Sequence, residues 1–351
     1  MTRVARLTAI LCLAGLCSGC VAAAIPVVAS SAIMKKRADQ RRARGTPTPA
    51  PQAPVTNVRD EQGRTWTVVQ GSSQLPSQPL APSPPARRDQ VPAGMQYLYG
   101  SAEGAAASLQ AYAGLSRHIA QRVDASRRDT LRQAVLSDGA SLNQPHFDPC
   151  GKKPLAVVFD IDETALLNLG YEADEARRGT GYDEARWLRW EQTGAEKVVA
   201  VPGAFNAVKA ARALGVTVIF NSNRSKDNAA ATAAALDHAG LGPVKHGTTL
   251  WLKGDDGGGS EKDNRRWAIA SGYCVIALVG DQLGDFSDLF NVAQLTPSTR
   301  RALAASPQLA SMWGAGWFVL PNPVYGTALK GGFDEVFPYD TRWTDPAEGA
   351  K

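Results

Sequence analysis

The chain has 351 residues, with 38 Lys and Arg against 33 Asp and Glu, for a formal charge of +5. That length suits one large domain or two small ones. The charge is unevenly placed: residues 1–91 carry 12 Lys and Arg and 4 Asp and Glu, a net of +8, which leaves −3 for the remainder. The body of the chain therefore has no basic excess to hold nucleic acid by its phosphates.

The first residues read as a leader. Arg3 and Arg6 precede an apolar run from Leu7 to Leu16, followed by the small-residue segment Leu16-Cys17-Ser18-Gly19-Cys20. This is the pattern of an export signal over residues 1–19, and its apolar run is too short to span a bilayer. The end of the run resembles a bacterial lipobox, with Cys20 as the acylated first residue of the mature protein. Cys17 stands where that pattern usually has leucine. The alternative is an ordinary secretory signal with an incidental cysteine. Val21 stands where an aspartate would mark retention at the inner membrane, so the resemblance implies the outer membrane, facing the periplasm or the cell surface. Residues 20–91 are expected to be a disordered tether rich in Pro and Ala, punctuated by Pro47, Pro49, Pro51, Pro54, Pro82, Pro84 and Pro85. Such composition buries no core. Its Lys35-Lys36-Arg37 and Arg41-Arg42 clusters suit an anionic lipid surface. Within it, Arg64-Thr65-Trp66-Thr67-Val68-Val69 alternates briefly and is read as an incidental apolar patch, with a small strand as the alternative.

The folded body is expected over 92–345, with a short tail at 346–351. Helical composition is found over 95–124 and 127–138. Beyond Pro154, buried-strand runs alternate with helical ones. Strands are expected at 155–160, 216–221, 274–280 and 316–320, and helices at 184–193, 203–214, 226–239, 260–271 and 284–290. This alternation predicts an α/β fold, a Rossmann-like parallel sheet with helices on both faces. The stretch from Leu166 to Pro202 is too long for a plain connection. It is read as an insertion that, with the N-terminal helices, caps the active-site edge.

The chemistry gathers at strand ends. Val157-Val158-Phe159 runs into Asp160-Ile161-Asp162-Glu163-Thr164. Two carboxylates at the carboxyl edge of a parallel sheet suit a nucleophile and a proton carrier, with a metal to offset their charge. A second strand ends in Ser222-Asn223-Arg224, hydrogen-bond donors suited to phosphoryl oxygens. Lys262 opens a helix and offers a positive charge. A third strand ends at Asp281, with Asp285 one turn on, completing an oxygen-rich site for a hard cation. Taken singly, each has a plainer explanation: Ser222 as a cap, Lys262 as a solvated helix residue, Asp281 as a loop acid. Their order, each at a strand end or helix start, argues against coincidence.

These segments match, in order, the four motifs of the haloacid-dehalogenase-like phosphatases. More narrowly the chain resembles the bacterial class C acid phosphatases, outer-membrane lipoproteins that act as 5′-nucleotidases. The resemblance covers roughly residues 92–340 and includes Pro202-Gly203-Ala204, Gly280-Asp281-Gln282-Leu283 and Leu320-Pro321-Asn322-Pro323-Val324-Tyr325-Gly326. Gln282 replaces the usual asparagine, and Asp255-Asp256-Gly257-Gly258-Gly259 makes a glycine-rich loop before Lys262. The resemblance implies that Asp160 attacks phosphorus and that Asp162 protonates the leaving oxygen and then activates water. It implies Mg2+ held by Asp160, Asp281 and the backbone carbonyl of Asp162, with Asp285 nearby. Ser222, Asn223 and Lys262 would bind the phosphoryl group, and Trp187 and Tyr325 would stack on a nucleobase or other aromatic leaving group. Ordinary packing is the competing role for those two rings. The implied substrate is a nucleoside monophosphate or a small aromatic phosphate ester. A broad acid phosphatase without nucleotide preference and a non-catalytic surface-binding lipoprotein are the alternatives, and a homodimer is left open.

Cys12 and Cys17 leave with the leader and Cys20 would carry lipid, so Cys150 and Cys274 remain to pair in an oxidising compartment. Asp160 and Asp281 must reach one metal, so their strands should be neighbours. Both cysteines then fall near the opposite edge of the sheet, provided that Gly151-Lys152-Lys153-Pro154 folds back.

Overall fold

The computed structural model describes residues 55–59, 65–69, 91–125 and 130–345. The proposed leader, Cys20 and the tail after 345 lie outside these residues. Contacts divide the chain into two units, residues 1–82 and 83–351. In the first, strand β1 (Val55–Arg59) pairs antiparallel with β2 (Thr65–Val69), Val55 opposite Val69. The stretch expected as an incidental patch is thus one arm of a hairpin. A partner strand of equal length pairs with it residue for residue, a backbone partnership that composition alone does not reveal.

The second unit is built on a five-stranded sheet in the order β7-β6-β3-β8-β9, every neighbouring pair parallel. The strands are β3 (Leu155–Phe159), β6 (Thr217–Ser225), β7 (Leu250–Lys253), β8 (Cys274–Gly280) and β9 (Trp317–Val319). β3 and β8 are almost wholly buried because helices cover both faces, which is why they read as continuous apolar runs. Side chains alternate between two cores. Val157, Phe159, Val218 and Phe220 join Tyr112, Leu115 and Ile119 on one face, against helices α1 (Ala102–Ala125) and α4 (Ala204–Ala213). Ala156, Val158, Ile219 and Leu278 join Ile269, Phe286, Phe290 and Trp317 on the other. Among the described residues no helix is long and apolar enough to cross a membrane.

The insertion is closed at its base by a short antiparallel pair, β4 (Leu166–Leu167) with β5 (Val199–Ala200). Between them stand α2 (Leu169–Arg178) and α3 (Glu184–Thr193).

Several expectations require correction. No helix occupies 130–138. Ala134, Val135 and Leu136 are buried in a segment without regular structure, and Gln133 supplies its side chain to backbone instead. It donates to the carbonyls of Ala270 and Tyr273 at 3.1 and 2.9 Å and accepts from the Val275 N–H at 2.7 Å. The expected N-terminal helix is interrupted rather than continuous: an α turn (Ala93–Met95) and a π turn (Gln96–Gly100) stop at Ser101, which takes an extended backbone, and the long helix starts at Ala102 with the Ser101 hydroxyl accepting from the Gly104 N–H at 2.9 Å. The stretch after β8 forms two 3-10 turns, Leu283–Asp285 and Asp288–Asn291, rather than one helix. β7 is an addition: four residues with every second one buried give too short a pattern to stand out in sequence.

Cys150 and Cys274 form a disulfide with a Cα–Cα distance of 4.9 Å, across 124 residues of chain. The return is made at Gly151, whose φ of 60° lies in the left-handed region that glycine adopts freely. Leu155 then pairs in register with Cys274.

Candidate active site

β3, β6 and β8 end side by side, so the residues that follow them meet at one edge of the sheet. Asp160 follows β3, and its N–H bonds the Val279 carbonyl of β8 at 2.8 Å. Asp281 follows β8. Asp285 is drawn in by the tight turn after it: a Cβ on Gly280 would lie 2.2 Å from the Asp285 Cβ, so only glycine permits that approach. Carboxylate oxygens of Asp160, Asp281 and Asp285 all lie within 4.8 Å of one another. Three acids offering only oxygen are the donor set of a hard divalent cation, and the residues present fit one.

Each acid is held. Asp281 accepts from Thr164 Oγ1 at 2.9 Å, Asn322 Nδ2 at 2.7 Å and Gln282 Nε2 at 3.0 Å. Burial, with Asp285 beside it, still pushes its pKa up to about 6. Asp285 accepts from the Gln282 N–H at 2.9 Å. Lys262, at the start of helix α5 (Asp263–Gly272), places Nζ 2.5 Å from Asp160 and 2.7 Å from Asp285. Burial raises the Asp160 carboxyl well above the ordinary carboxylate range, and Lys262 acts against that rise.

Asp162 is not part of the acid group. Its carboxylate turns to Arg224, which donates from Nη2 at 2.7 Å and Nε at 3.0 Å, and to Asn168 Nδ2 at 2.9 Å. Only its backbone carbonyl is therefore left to serve a metal. Ser222 is fully buried and donates its hydroxyl to Asp162 at 3.3 Å rather than lining the cavity. Asn223 does line it, with Nδ2 donating to the Ser260 carbonyl at 2.9 Å and Oδ1 accepting from Arg265 at 2.6 Å.

A cavity of about 510 Å³ opens over these groups. Asp160, Asp162, Lys262, Asp281, Asp285, Trp187 and Tyr325 all line it. Trp187 comes from α3, set edge-on to Tyr171 of α2 at 5.0 Å between centroids, with the Arg224 guanidinium 5.9 Å from its ring. Tyr325 donates its hydroxyl to Glu163.

Glu163, Asn168 and Arg224 carry structural duties that sequence reasoning did not assign. Glu163 is a non-glycine residue at φ 54°, left-handed backbone that costs on the order of 1–3 kcal/mol. Its buried carboxyl is fixed by Tyr325, by Tyr99 at 3.2 Å and by the Asn168 N–H at 2.9 Å. Burial and Asp162 push its pKa up to about 7. Tyr112 of α1 adds a further tie, donating to the Thr164 carbonyl at 2.5 Å. The signal for Arg224 was present in the Ser222-Asn223-Arg224 run, but only the fold shows which acid it meets.

The model of the HAD superfamily, subfamily IIIB (acid phosphatase), matches residues 103–328, more than half of the chain. Acid phosphatase 1 of Solanum lycopersicum is 25% identical over 173 residues, 48% of this chain and 57% of that protein. The chain thus matches less than two thirds of that relative's length. The class C acid phosphatase from Bacillus anthracis superposes with a TM-score of 0.53 at 23% identity, covering 67% of this chain and 84% of that one. A second structure of it, with tungstate bound, gives 0.52 at 21% identity, covering 73% and 92%. At these identities the structural likeness speaks to the fold.

Proposed function

The chain belongs to the haloacid-dehalogenase superfamily, subfamily IIIB, the acid phosphatases, and on that premise we propose a magnesium-dependent phosphomonoesterase that works through an aspartyl phosphate on Asp160. The observation that carries the reading is the meeting of Asp160, Asp281 and Asp285 at one sheet edge with Lys262 Nζ against them. Asp160, Asp281 and Asp285, with the Asp162 carbonyl, would hold Mg2+. The cation supplies positive charge that lets an anionic ester approach the acids and keeps Asp160 ionised.

An oxygen of Asp160 forms the bond to phosphorus as the bond from phosphorus to the alcohol oxygen breaks. Asp162, two residues on, gives the departing oxygen a proton. It then takes one from the water that cleaves the aspartyl phosphate, which restores Asp160 and releases phosphate. Arg224 and Asn168 fix the orientation of that carboxyl. Lys262 and Asn223 donate to the phosphoryl oxygens, and Ser222 supports them through Asp162.

Nucleoside 5′-monophosphates or small aromatic phosphate esters are the proposed substrates. Trp187 and Tyr325 share the cavity with Asp160, and its volume suits a small organic ligand. Ring stacking can contribute about 1–3 kcal/mol per base. Export and lipid anchoring through Cys20 at the outer membrane rest on the leader sequence. The Cys150–Cys274 disulfide supports an oxidising compartment.

The test is a panel of phosphate esters with and without chelator, run on the native chain and on Asp160→Asn. The expected result is phosphate release that chelation abolishes, magnesium restores and the variant lacks. Full turnover by Asp160→Asn would refute the nucleophile assignment.

A further inference from the structure

Beside the acids of the phosphate end, the cavity wall contains a carboxyl with an unanswered oxygen. Glu172, in the first turn of α2, lines the cavity yet is only 4% exposed. Its Oε2 is buried and has no hydrogen-bond partner. Buried carboxylate oxygens are seldom left so, and one on a residue that lines a ligand cavity points to a group that arrives with the ligand.

The neighbouring charges show what kind of group that is. Glu175, one turn on, is already paired with Arg186 at 2.8 Å. Asp288 accepts from the backbone N–H groups of Lys262 and Asp263. Of the cations that line the cavity, Lys262 is engaged with Asp160 and Asp285, and Lys253 reaches Glu184 at 3.5 Å. Arg186, which does not line the cavity, is the cation that faces Glu172, and it is already engaged with Glu175 and with the Tyr171 hydroxyl. Three aromatic residues, Tyr171, Trp187 and Tyr182, line the same cavity, with Trp187 and Tyr182 6.5 Å apart. An acid and aromatic rings lining one cavity are a setting that favours a positively charged nitrogen over an anion.

We propose that Glu172, with Tyr171, Trp187 and Tyr182, forms a leaving-group subsite that selects phosphate monoesters whose alcohol carries a cationic nitrogen. This rests on the phosphomonoesterase reading above and adds a specificity-determining residue to it. Burial beside Glu163 and Glu175 pushes the Glu172 pKa up to about 8, which favours the neutral acid until a cation arrives. An incoming ammonium replaces that proton.

The experiment compares hydrolysis of aminomethylphenyl, methylphenyl and carboxymethylphenyl phosphates, each as its meta and para isomer, by the native chain and by Glu172→Gln. A charge-assisted hydrogen bond predicts a KM for the aminomethyl ester about tenfold below that of the methyl ester, with the carboxymethyl ester weakest. Glu172→Gln, which keeps the volume and removes the charge, should bring the aminomethyl-to-methyl KM ratio to near one. Glu172→Leu should do the same. Equal KM values for the three esters in the native chain, or a ratio that both variants preserve, would overturn the assignment while leaving the phosphatase intact. No hydrolysis of any ester would refute the phosphatase reading itself, and this subsite with it.

Discussion

Arg224 closes on Asp162 through two nitrogens, with Nη2 at 2.7 Å and Nε at 3.0 Å from the same carboxylate oxygen. The guanidinium is 2% exposed and the carboxylate 15%, so water does little to screen the pair. A lysine cannot reproduce this planar grip. Arg224→Lys should therefore lower kcat by roughly 10- to 100-fold, as expected for a misplaced proton carrier. The loss should be larger for an alkyl phosphate, whose leaving oxygen needs a proton, than for nitrophenyl phosphate. Equal losses on both esters would assign Arg224 to phosphate binding instead.

Asp281 offers a second lever. It is gripped by Thr164, Asn322 and Gln282, so its amide form should stay in place. Asp281→Asn removes one charge from the acid group and should weaken magnesium binding by roughly 10- to 100-fold. Titration of activity against free magnesium measures this. An unchanged magnesium midpoint would remove Asp281 from the ligand set.

Much of this arrangement was legible in the chain. Buried strands announce themselves as apolar runs, and the acids at their ends follow in sequence: Phe159 into Asp160, Gly280 into Asp281. What stayed hidden depends on side-chain contacts that the local pattern does not encode. Asn168 bonds both Asp162 and Glu163, and Asn322 reaches Asp281 over 41 residues, yet neither pairing leaves a periodic trace. The segment around Ala134-Val135-Leu136 shows the reverse error. Its helix-favouring residues are overridden by burial against the sheet, with Gln133 standing in as a backbone partner. β7 was missed because Leu250-Trp251-Leu252-Lys253 gains its identity from pairing with β6, not from its own pattern.

Tyr325 and Glu163 form a test of the aromatic wall. The tyrosine hydroxyl is spent on Glu163, so its ring is held at the cavity while its polar end is buried. Tyr325→Phe keeps the ring and leaves the Glu163 oxygen short of a donor, whereas Tyr325→Ala removes both. Under the stacking role, Tyr325→Ala should raise KM for a nucleotide by roughly 5- to 100-fold, the range expected for one lost stack. Tyr325→Phe should change it far less. A similar rise for small aliphatic phosphates would return the ring to a packing role.

The Cys150–Cys274 bond closes a loop of 124 residues at the edge of the sheet opposite the acids. In the chain-entropy model a loop of that size stabilises by about 5 kcal/mol. Thiol titration of the unfolded, unreduced mature protein should find neither cysteine free. Cys150→Ser with Cys274→Ser should lower the melting temperature by roughly 10–20 °C and leave KM nearly unchanged, since both residues lie away from the cavity. An unchanged melting temperature would show that the bond adds nothing to stability.

Glu172 also makes stability depend on pH. Its pKa is about 8 in the fold, raised from 4.5 by burial and then by Glu163 and Glu175. Between those values the folded chain keeps a proton that the unfolded chain has released. Stability is therefore full below about pH 4.5 and falls as pH rises toward 8, because unfolding becomes the route by which the carboxyl ionises. Asp162 and Arg186 face the same group, the first adding to the rise and the second opposing it. The melting temperature of the metal-free protein should drop between pH 5 and 8 by an amount worth on the order of a few kcal/mol. Glu172→Gln should flatten that slope, since an amide has no proton to lose. A slope of equal steepness in the variant would place the origin of the effect elsewhere, and Glu163, with its pKa near 7, would be the next residue to replace.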